Sequence, residues 1–338
     1  RRRHSRAVER PSALPRRLEQ AKTDPMRIAI TEATDILTQV MRKLGHAEED
    51  LHPIIDHLID CELRGLSYGG LARAVAITER VGRLGMPKES ITVTHETPVS
   101  AKVHGADHIG YIVGQRATDI AIEKANTTGL AAVALDNTYY TGMLSYFAEQ
   151  MAAHNLVSMI ASNAGPWVAP HGSAEGRFGT NPICFGFPAD PHPIVWDIGT
   201  SNIMHAEVLL ARRLGQQLPE GRAIGPDGQP TTDPNAALKG AFTAWGGHKG
   251  SGLGLMVQLL GVLAGSEGMT DDMGGFGMTI VAMKTNLFGD GDATKRRFEE
   301  YAEAVRGARP ADPNQPDALR PLVSGAGGGS GVRWVPGQ

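Results

Sequence analysis

The segment that most restricts the fold runs from Gly252 to Ala264 (GLGLMVQLLGVLA). Wound as a helix it is apolar on most faces, so it should be central, covered by other elements on several sides. It is too short to span a bilayer, and Gln258 and Gly261 interrupt its apolar run. A chain that contains it has to supply packing layers around it, and 338 residues suffice for that.

The rest of the pattern supplies those layers. Apolar residues recur at helical spacing through Ile36, Leu37, Val40, Met41 and Leu44, then through Leu51, Ile54, Ile55, Leu58 and Ile59. Gly45 separates two helices there, and Gly65 ends the second. A third helix is predicted over Leu71–Leu84, closed by Gly85 and Pro87. Further on, helices over Ile112–Asn126 and Gly142–His154 alternate with short apolar strands at Ile91–His95, Leu130–Leu135 and Val157–Ser162. More strands are predicted at Ile183–Phe187, Ile194–Asp197 and Met278–Met283. Helices interleaved with short buried strands indicate an α/β or α+β fold around a mixed sheet.

Charge and cysteine usage narrow the function class. A net charge of −3 argues against nucleic acid or an anionic membrane as partner, since both demand a basic excess. Cys61 and Cys184 are the only cysteines and lie far apart, which reads as a reducing, cytoplasmic compartment without disulfides. None of the twelve histidines has metal-ligand spacing, so no metal is expected. Residues 1–25 are arginine-rich and lack the apolar core of a secretory signal. They read as a disordered extension ahead of a start at Met26, with a targeting peptide as the alternative. The stretch Ser324–Gly331 (SGAGGGSG) has linker composition.

Chemistry concentrates in four turns rich in glycine and hydroxyls: Gly179-Thr-Asn-Pro182, Asp197-Ile-Gly-Thr-Ser201, Pro230-Thr-Thr-Asp-Pro234 and Gly246-Gly-His-Lys-Gly-Ser-Gly252. The last runs into the apolar helix, where free N–H groups, the helix dipole and Lys249 together suit a phosphate. Any one such turn is ordinarily only a connection. Four of them within one region point to an anionic cofactor. The phosphate-loop order Gly-Lys-Ser/Thr is absent, and so is GxGxxG. The turns by themselves support anion binding and no more.

The runs GTNPICFGFP, WDIGTS, PDGQPTTDP and GGHKGSGLGLMVQLLGVLAG, in that order, resemble the type-2 malate/L-lactate dehydrogenase family. That family includes ureidoglycolate dehydrogenase, diketogulonate reductase and the piperideine/pyrroline-2-carboxylate reductases. The similarity extends from about Ala29 to the closing VPGQ. It implies a homodimer with a non-Rossmann NAD(P)-binding fold around a large mixed sheet, and hydride transfer between a nicotinamide and C2 of a small 2-oxo or cyclic 2-imino carboxylate. The expected division is an extension (1–25), an N-terminal helical, dimerisation and active-site segment (26–110), an NAD(P)-binding and substrate core (111–290), and a C-terminal helix, linker and closing turn (291–338). NAD and NADP remain equal alternatives. The resemblance assigns cofactor contacts to Gly179, Thr180, Asn181, Ser201, His248, Lys249 and Gly250, and to Pro336 and Gly337 of the closing turn. It puts Asp197 and Thr200 beside the nicotinamide or substrate.

The chain departs from the family where protons move. The family segment Arg-Gly-x-Asp-Ser-His-Gly-x-x-Arg corresponds to Arg64-Gly-Leu-Ser-Tyr-Gly-Gly-Leu-Ala-Arg73, so Tyr68 and Gly69 replace the Ser-His pair. A second family histidine corresponds to Tyr140, and a lysine after the Thr-Ser turn corresponds to Glu207. Tyr140 and Tyr68 are therefore candidate proton donors, since a phenol keeps its proton at neutral pH and acts as an acid where a cation steadies the phenolate. Packing is the competing reading for both. Arg73 and Arg64 are candidates to hold a substrate carboxylate, Arg73 by preference, with a salt-bridged surface arginine as the competing reading for Arg64. His171, in the turn before GTNP, is a lesser candidate for proton transfer. The missing histidines also leave open a catalytically idle dinucleotide-binding paralogue.

Overall fold

The structure, a computed structural model, describes residues 27–270 and 273–309. Three helices open it: α1 (Ile30–Leu44), α2 (Glu48–Leu63) and α3 (Leu71–Leu84). Their buried faces carry the apolar positions that the spacing picked out, among them Leu37, Met41, Ile54, Leu58 and Ile77. These close over Ile109, Tyr111, Ile112 and Tyr139, which ties the helical part to the sheet behind it.

The chain then alternates through β1 (Thr92–Glu96), β2 (Ser100–Ile109), α4 (Gly110–Thr128), β3 (Leu130–Tyr139), α5 (Ser145–Ala153) and β4 (Leu156–Ser162). After the short β5 (Val168–Ala169) come β6 (Ile183–Phe187) and β7 (Ile194–Ile198). Then follow α6 (His205–Leu214), β8 (Ala223–Ile224), β9 (Pro230–Thr231), α7 (Pro234–Ala237) and β10 (Ala241–Thr243). The last elements are α8 (Gly247–Ala264), β11 (Phe276–Lys284) and α9 (Gly291–Arg306).

Seven strands form the large sheet, in the order β1-β2-β3-β11-β4-β6-β7. Only β2 and β3 pair parallel; the other neighbours are antiparallel, so the sheet is mixed. A parallel pair needs a long crossover, and α4 supplies it. Ala117, Ala121 and Ala125 form its sheet-facing row and let the helix lie close against Val133, Leu135 and Met278. Strand β2 is not among the sequence-predicted strands: its register shifts between His104 and His108, and Ala106 and Asp107 have positive φ, so no clean alternation marks it. Strands of two or three residues build a second sheet, β5-β10-β8-β9. It shares a small core with α6 and α7 around Val208, Leu218 and Phe242.

Helix α8 departs from expectation. It starts five residues earlier than the apolar run, so His248, Lys249 and Ser251 lie in its first turns. It is also not covered on all sides by the described residues. Gly250, Gly254, Val257, Gln258, Gly261 and Ala264 form the buried face. Leu255, Met256, Leu259, Val262 and Leu263 form an exposed one. Glycines face inward because the helix backbone lies directly on its neighbours, which leaves the large side chains pointing out. Among the described residues no helix is long and apolar enough to cross a membrane.

Candidate active site

A cavity of about 640 Å³ lies where the helical part, the large sheet and the small sheet meet. Its size falls in the range typical of small-molecule and cofactor sites. The connections between the two sheets form one wall. Thr200 N–H donates to the Thr180 carbonyl, and Trp245 N–H to the Thr200 carbonyl, so the end of β7 is laced to the approach of α8.

Tyr140 and Arg73 form the opposite wall. Tyr140 follows the last residue of β3 and has φ +48°, in the left-handed region that non-glycine residues seldom adopt. The turn beyond it is held from below. His57, fully buried on α2, accepts the Met143 N–H through Nε2 at 2.9 Å and stacks on Tyr111 with ring centroids 4.2 Å apart. A side chain at Gly142 would collide with His57 and Tyr111, so only glycine lets the turn lie so close. Burial pulls the His57 imidazole down to about 3, which keeps it neutral and able to accept. The Arg73 guanidinium lies 4.1 Å from the centroid of the Tyr140 ring, a cation–π contact.

Tyr68 lines the same cavity in different surroundings. Burial pushes its hydroxyl well above the ordinary phenol range, the Glu207 and Asp197 carboxylates push it further, and Arg73 opposes them. Asp197, on β7, accepts the Ser145 N–H at 2.8 Å at the start of α5. Desolvation raises its carboxyl to about 6, against the N–H groups of Ser145 and Leu144 that favour the charged form. Glu207 reaches back from the first turn of α6 to accept the Met204 N–H at 2.7 Å, and burial raises its carboxyl as well. Cys61 also lines the cavity; burial pushes its thiol up to about 12, so it is no nucleophile at neutral pH.

Of the residues singled out in the sequence, Tyr68, Arg73, Tyr140, Asp197, Thr180 and Ser201 line this one cavity. Others are placed elsewhere. Arg64 is committed to two carboxylates, with Nε 2.7 Å from Asp60 and its two Nη atoms 2.6 and 2.8 Å from Glu149. It borders a separate groove that also includes Asp56 and Gln115. The competing reading of Arg64, an arginine held in a salt bridge, describes its position: Asp60 of α2 and Glu149 of α5 occupy it.

Gly179 and Asn181 turn away from the cavity and into α8. Gly179 N–H donates to Gln258 Oε1, and Asn181 Nδ2 donates to Gly254 O and Gln258 Oε1. The donors read as cofactor contacts thus fasten the GTNP turn to the helix. Thr200 is buried, with its hydroxyl donating to the Thr180 carbonyl at 3.3 Å, and it does not line the cavity. His248 and Lys249 are exposed at the start of α8, beyond Trp245 at the cavity's rim. Gly250 is buried against the Trp245 carbonyl, with no room for a side chain. His171 sits near His248, ring centroids 6.3 Å apart, and its N–H donates to Ser251 Oγ. Pro336 and Gly337, like residues 1–25 and the glycine-rich linker, lie outside the described residues.

Three contributors to the cavity were not among the sequence-derived candidates. His205 begins α6 and stacks on Trp167 at 4.1 Å between centroids. Both line the cavity, as does Arg222, whose Nη1 donates to Asn202 O at 2.5 Å. The available signal was Glu207 itself: a Glu at the third position of a helix is a capping residue and would have located α6, with His205 at its start.

A sequence profile described as malate/L-lactate dehydrogenase matches residues 28–319. The chain is 30% identical over 287 residues to L-sulfolactate dehydrogenase of Methanocaldococcus jannaschii, covering 82% of this chain and 83% of that one. It is 33% identical over 262 residues to Delta(1)-pyrroline-2-carboxylate reductase of Pseudomonas fluorescens, covering 75% and 77%. Among solved structures, a dehydrogenase from Sinorhizobium meliloti superposes with a TM-score of 0.79 at 30% identity, covering 87% of this chain and 91% of that one. Profile, relatives and fold agree over nearly all of the described residues, and the chain belongs to the malate/L-lactate dehydrogenase family.

Proposed function

We propose that the protein is an NAD(P)H-dependent oxidoreductase acting at C2 of a small 2-oxo acid or cyclic 2-imino acid, or oxidising the corresponding 2-hydroxy acid in reverse. The observation that carries this reading is the meeting of Arg73, Tyr140 and Asp197 in one cavity of a chain from this family.

The residues present fit a dinucleotide. The cavity is walled by aromatic groups suited to a nicotinamide, notably Trp167 and Trp245, and Thr180 and Ser201 supply polar groups beside them. Just past Trp245, the first turn of α8 has no side-chain cap and carries His248 and Lys249, which suits a pyrophosphate. When bound, the reduced dinucleotide supplies the hydride.

The chain's own residues handle charge and proton. Arg73 holds the substrate carboxylate through its N–H edge while its face lies on Tyr140. Tyr140 donates the proton to an oxygen developing at C2, and the same guanidinium steadies the phenolate left behind. Tyr68 is not the proposed donor, because burial, and after it the Glu207 and Asp197 carboxylates, disfavour its phenolate. The His57–Tyr111 stack fixes the turn that aims Tyr140. The exposed apolar stripe of α8 is covered by a second copy of the chain in a homodimer, which restores to the helix the burial its composition calls for.

A second reading, an idle dinucleotide-binding paralogue, draws on Gly69, which brings no proton donor into the cavity. Incubation with NADH or NADPH and a panel of 2-oxo acids and cyclic imines, followed by absorbance of the reduced cofactor, separates the two. Oxidation with a member of the panel supports the enzyme. Tight dinucleotide binding without any turnover supports the idle form.

A further inference from the structure

We infer that Arg80 is a positioning residue for Tyr140: without lining the cavity, it clamps Tyr139, the preceding residue, and so holds the Tyr140 ring against Arg73. The inference rests on the reading above that Tyr140 donates the proton, and it names a support for that donor besides His57.

Spacing sets up the clamp. Arg73 and Arg80 lie seven residues apart on α3, about two helical turns, and so share one face. Tyr139 and Tyr140 are consecutive at the end of β3, where successive side chains ordinarily point to opposite faces. The positive φ of Tyr140 breaks that alternation, and one helix meets both rings. Arg73 Cζ lies 4.1 Å from the Tyr140 centroid, and Arg80 Cζ lies 3.7 Å from that of Tyr139. The two rings meet edge to face, with centroids 5.2 Å apart and planes at 73°. Arginine, ring, ring and arginine therefore form one continuous stack of contacts between α3 and β3.

The clamp has its own anchor. Arg80 is only 6% exposed, and a guanidinium so far from water needs a partner. Asp107 supplies it, with Oδ1 2.7 Å from Arg80 Nη2. Asp107 stands in the bulge of β2, where it and Ala106 have φ of +63° and +49° and the pairing with β3 shifts. Bulges gather beside active sites because they re-aim a side chain, and this one brings a carboxylate to a buried cation. The same bulge is tied to the residue before Tyr139: the Thr138 hydroxyl donates to the His108 carbonyl at 2.6 Å.

Stability alone is a poor reason for this arrangement. An apolar side chain against the Tyr139 ring would bury as well without the cost of desolvating a charge. What arginine adds is a flat plane whose orientation its fork fixes, here through Asp107. That plane settles where the Tyr139 ring lies, and the edge-on contact passes the position to Tyr140. A donor displaced by about 1 Å loses much of its effect on the step it serves.

Two variants test the clamp. Arg80→Lys keeps the charge and loses the plane. Asp107→Asn removes the charged anchor and keeps the bulge, since asparagine tolerates positive φ; it carries the test if Arg80→Lys does not fold. Each is made in wild type and in Tyr140→Phe, and assayed with pyruvate, oxaloacetate and Δ1-pyrroline-2-carboxylate, using both reduced dinucleotides. In the wild-type background kcat for a 2-oxo acid should fall about tenfold, with KM for the dinucleotide unchanged. In the Tyr140→Phe background the same substitutions should change kcat by less than about twofold, because the donor they aim is already gone. Equal fold-losses in the two backgrounds assign Arg80 to stability alone and overturn the inference, as does full kcat in the single variants. A wild type that reduces the imine and neither 2-oxo acid also overturns it, and then the oxidoreductase reading stands. No turnover of any of the three with either dinucleotide overturns both.

Discussion

Two tyrosines reach the same cavity from different elements and meet different surroundings. Tyr140 lies under a guanidinium, 4.1 Å from its ring centroid. Tyr68 is raised chiefly by burial; the Glu207 and Asp197 carboxylates add to this and Arg73 opposes it. A phenol is an acid only to the extent that its phenolate is tolerated. The pair therefore shows that residue type and cavity membership do not by themselves assign a role; burial and the neighbouring charges have to be read with them. The chain presents a cation-backed wall built by α3 and the end of β3, and an anion-backed wall built by β7 and α6.

Arg73 is the residue whose loss should collapse the difference. Arg73→Ala removes the proposed carboxylate partner and the cation over Tyr140 together. We expect kcat/KM to fall by about 10³ for every substrate turned over, since a charge-assisted bidentate contact and general-acid help are both lost. Arg73→Lys keeps the charge but neither the fork nor the flat face, and should recover less than a tenth of that loss. Full activity in Arg73→Lys would mean that only net charge matters at this wall.

The tyrosines themselves give the next largest effect. Tyr140→Phe should lower kcat for a 2-oxo acid about 100-fold and leave reduction of a cyclic imine nearly unchanged. Tyr68→Phe should change kcat for either by less than about fivefold. Steady-state kinetics on both substrates checks this, and equal losses in the two variants would break the comparison.

Much of the fold behind these walls was legible. The bounds of α3 and β6 match the pattern, because both have clear punctuation at their ends and α3 has a single buried face. The mixed sheet followed from alternating helices and short apolar runs. Strand β2 was not legible, because its bulge breaks the alternation. The second sheet was not, because strands of two residues have no period to read. At the site, Tyr68, Arg73, Tyr140 and Asp197 were named and share a cavity. Gly179, Asn181 and Thr200 were read as facing a ligand, yet their donors are spent on α8 and on the neighbouring turn. A hydroxyl- and glycine-rich turn looks the same in sequence whether its N–H groups meet a phosphate or a helix. The apolarity of α8 on most of its faces likewise does not say which of them its neighbours cover.

The cation-backed wall depends on a buried support. His57→Ala removes the acceptor for the Met143 N–H and leaves a void beside Tyr111. We expect a loss of about 3 kcal/mol in chemical denaturation, from an unmet buried donor together with a cavity. Turnover of a 2-oxo acid should fall more than that of an imine, because the turn that aims Tyr140 is loosened. Equal falls would show that His57 contributes to stability alone.

The anion-backed wall gives the smallest effect, with a definite sign. Desolvation is the largest influence on Asp197 and raises its carboxyl from the ordinary 3.8 to about 6. Between those values the folded chain holds a proton that the unfolded chain has released. Stability from this group is therefore greatest below about pH 4 and declines as pH rises to about 6. At about 1.4 kcal/mol per pH unit, and with water in the cavity reducing it, the decline amounts to about 2 kcal/mol. Asp197→Asn keeps an acceptor for the Ser145 N–H and does not titrate. The difference in unfolding free energy, wild type minus variant, should therefore fall by about 2 kcal/mol between pH 4 and pH 7. A difference that is flat or rises with pH would mean that the Ser145 and Leu144 N–H groups outweigh desolvation, and that Asp197 is an ordinary helix-capping carboxylate rather than a strained part of the cavity wall.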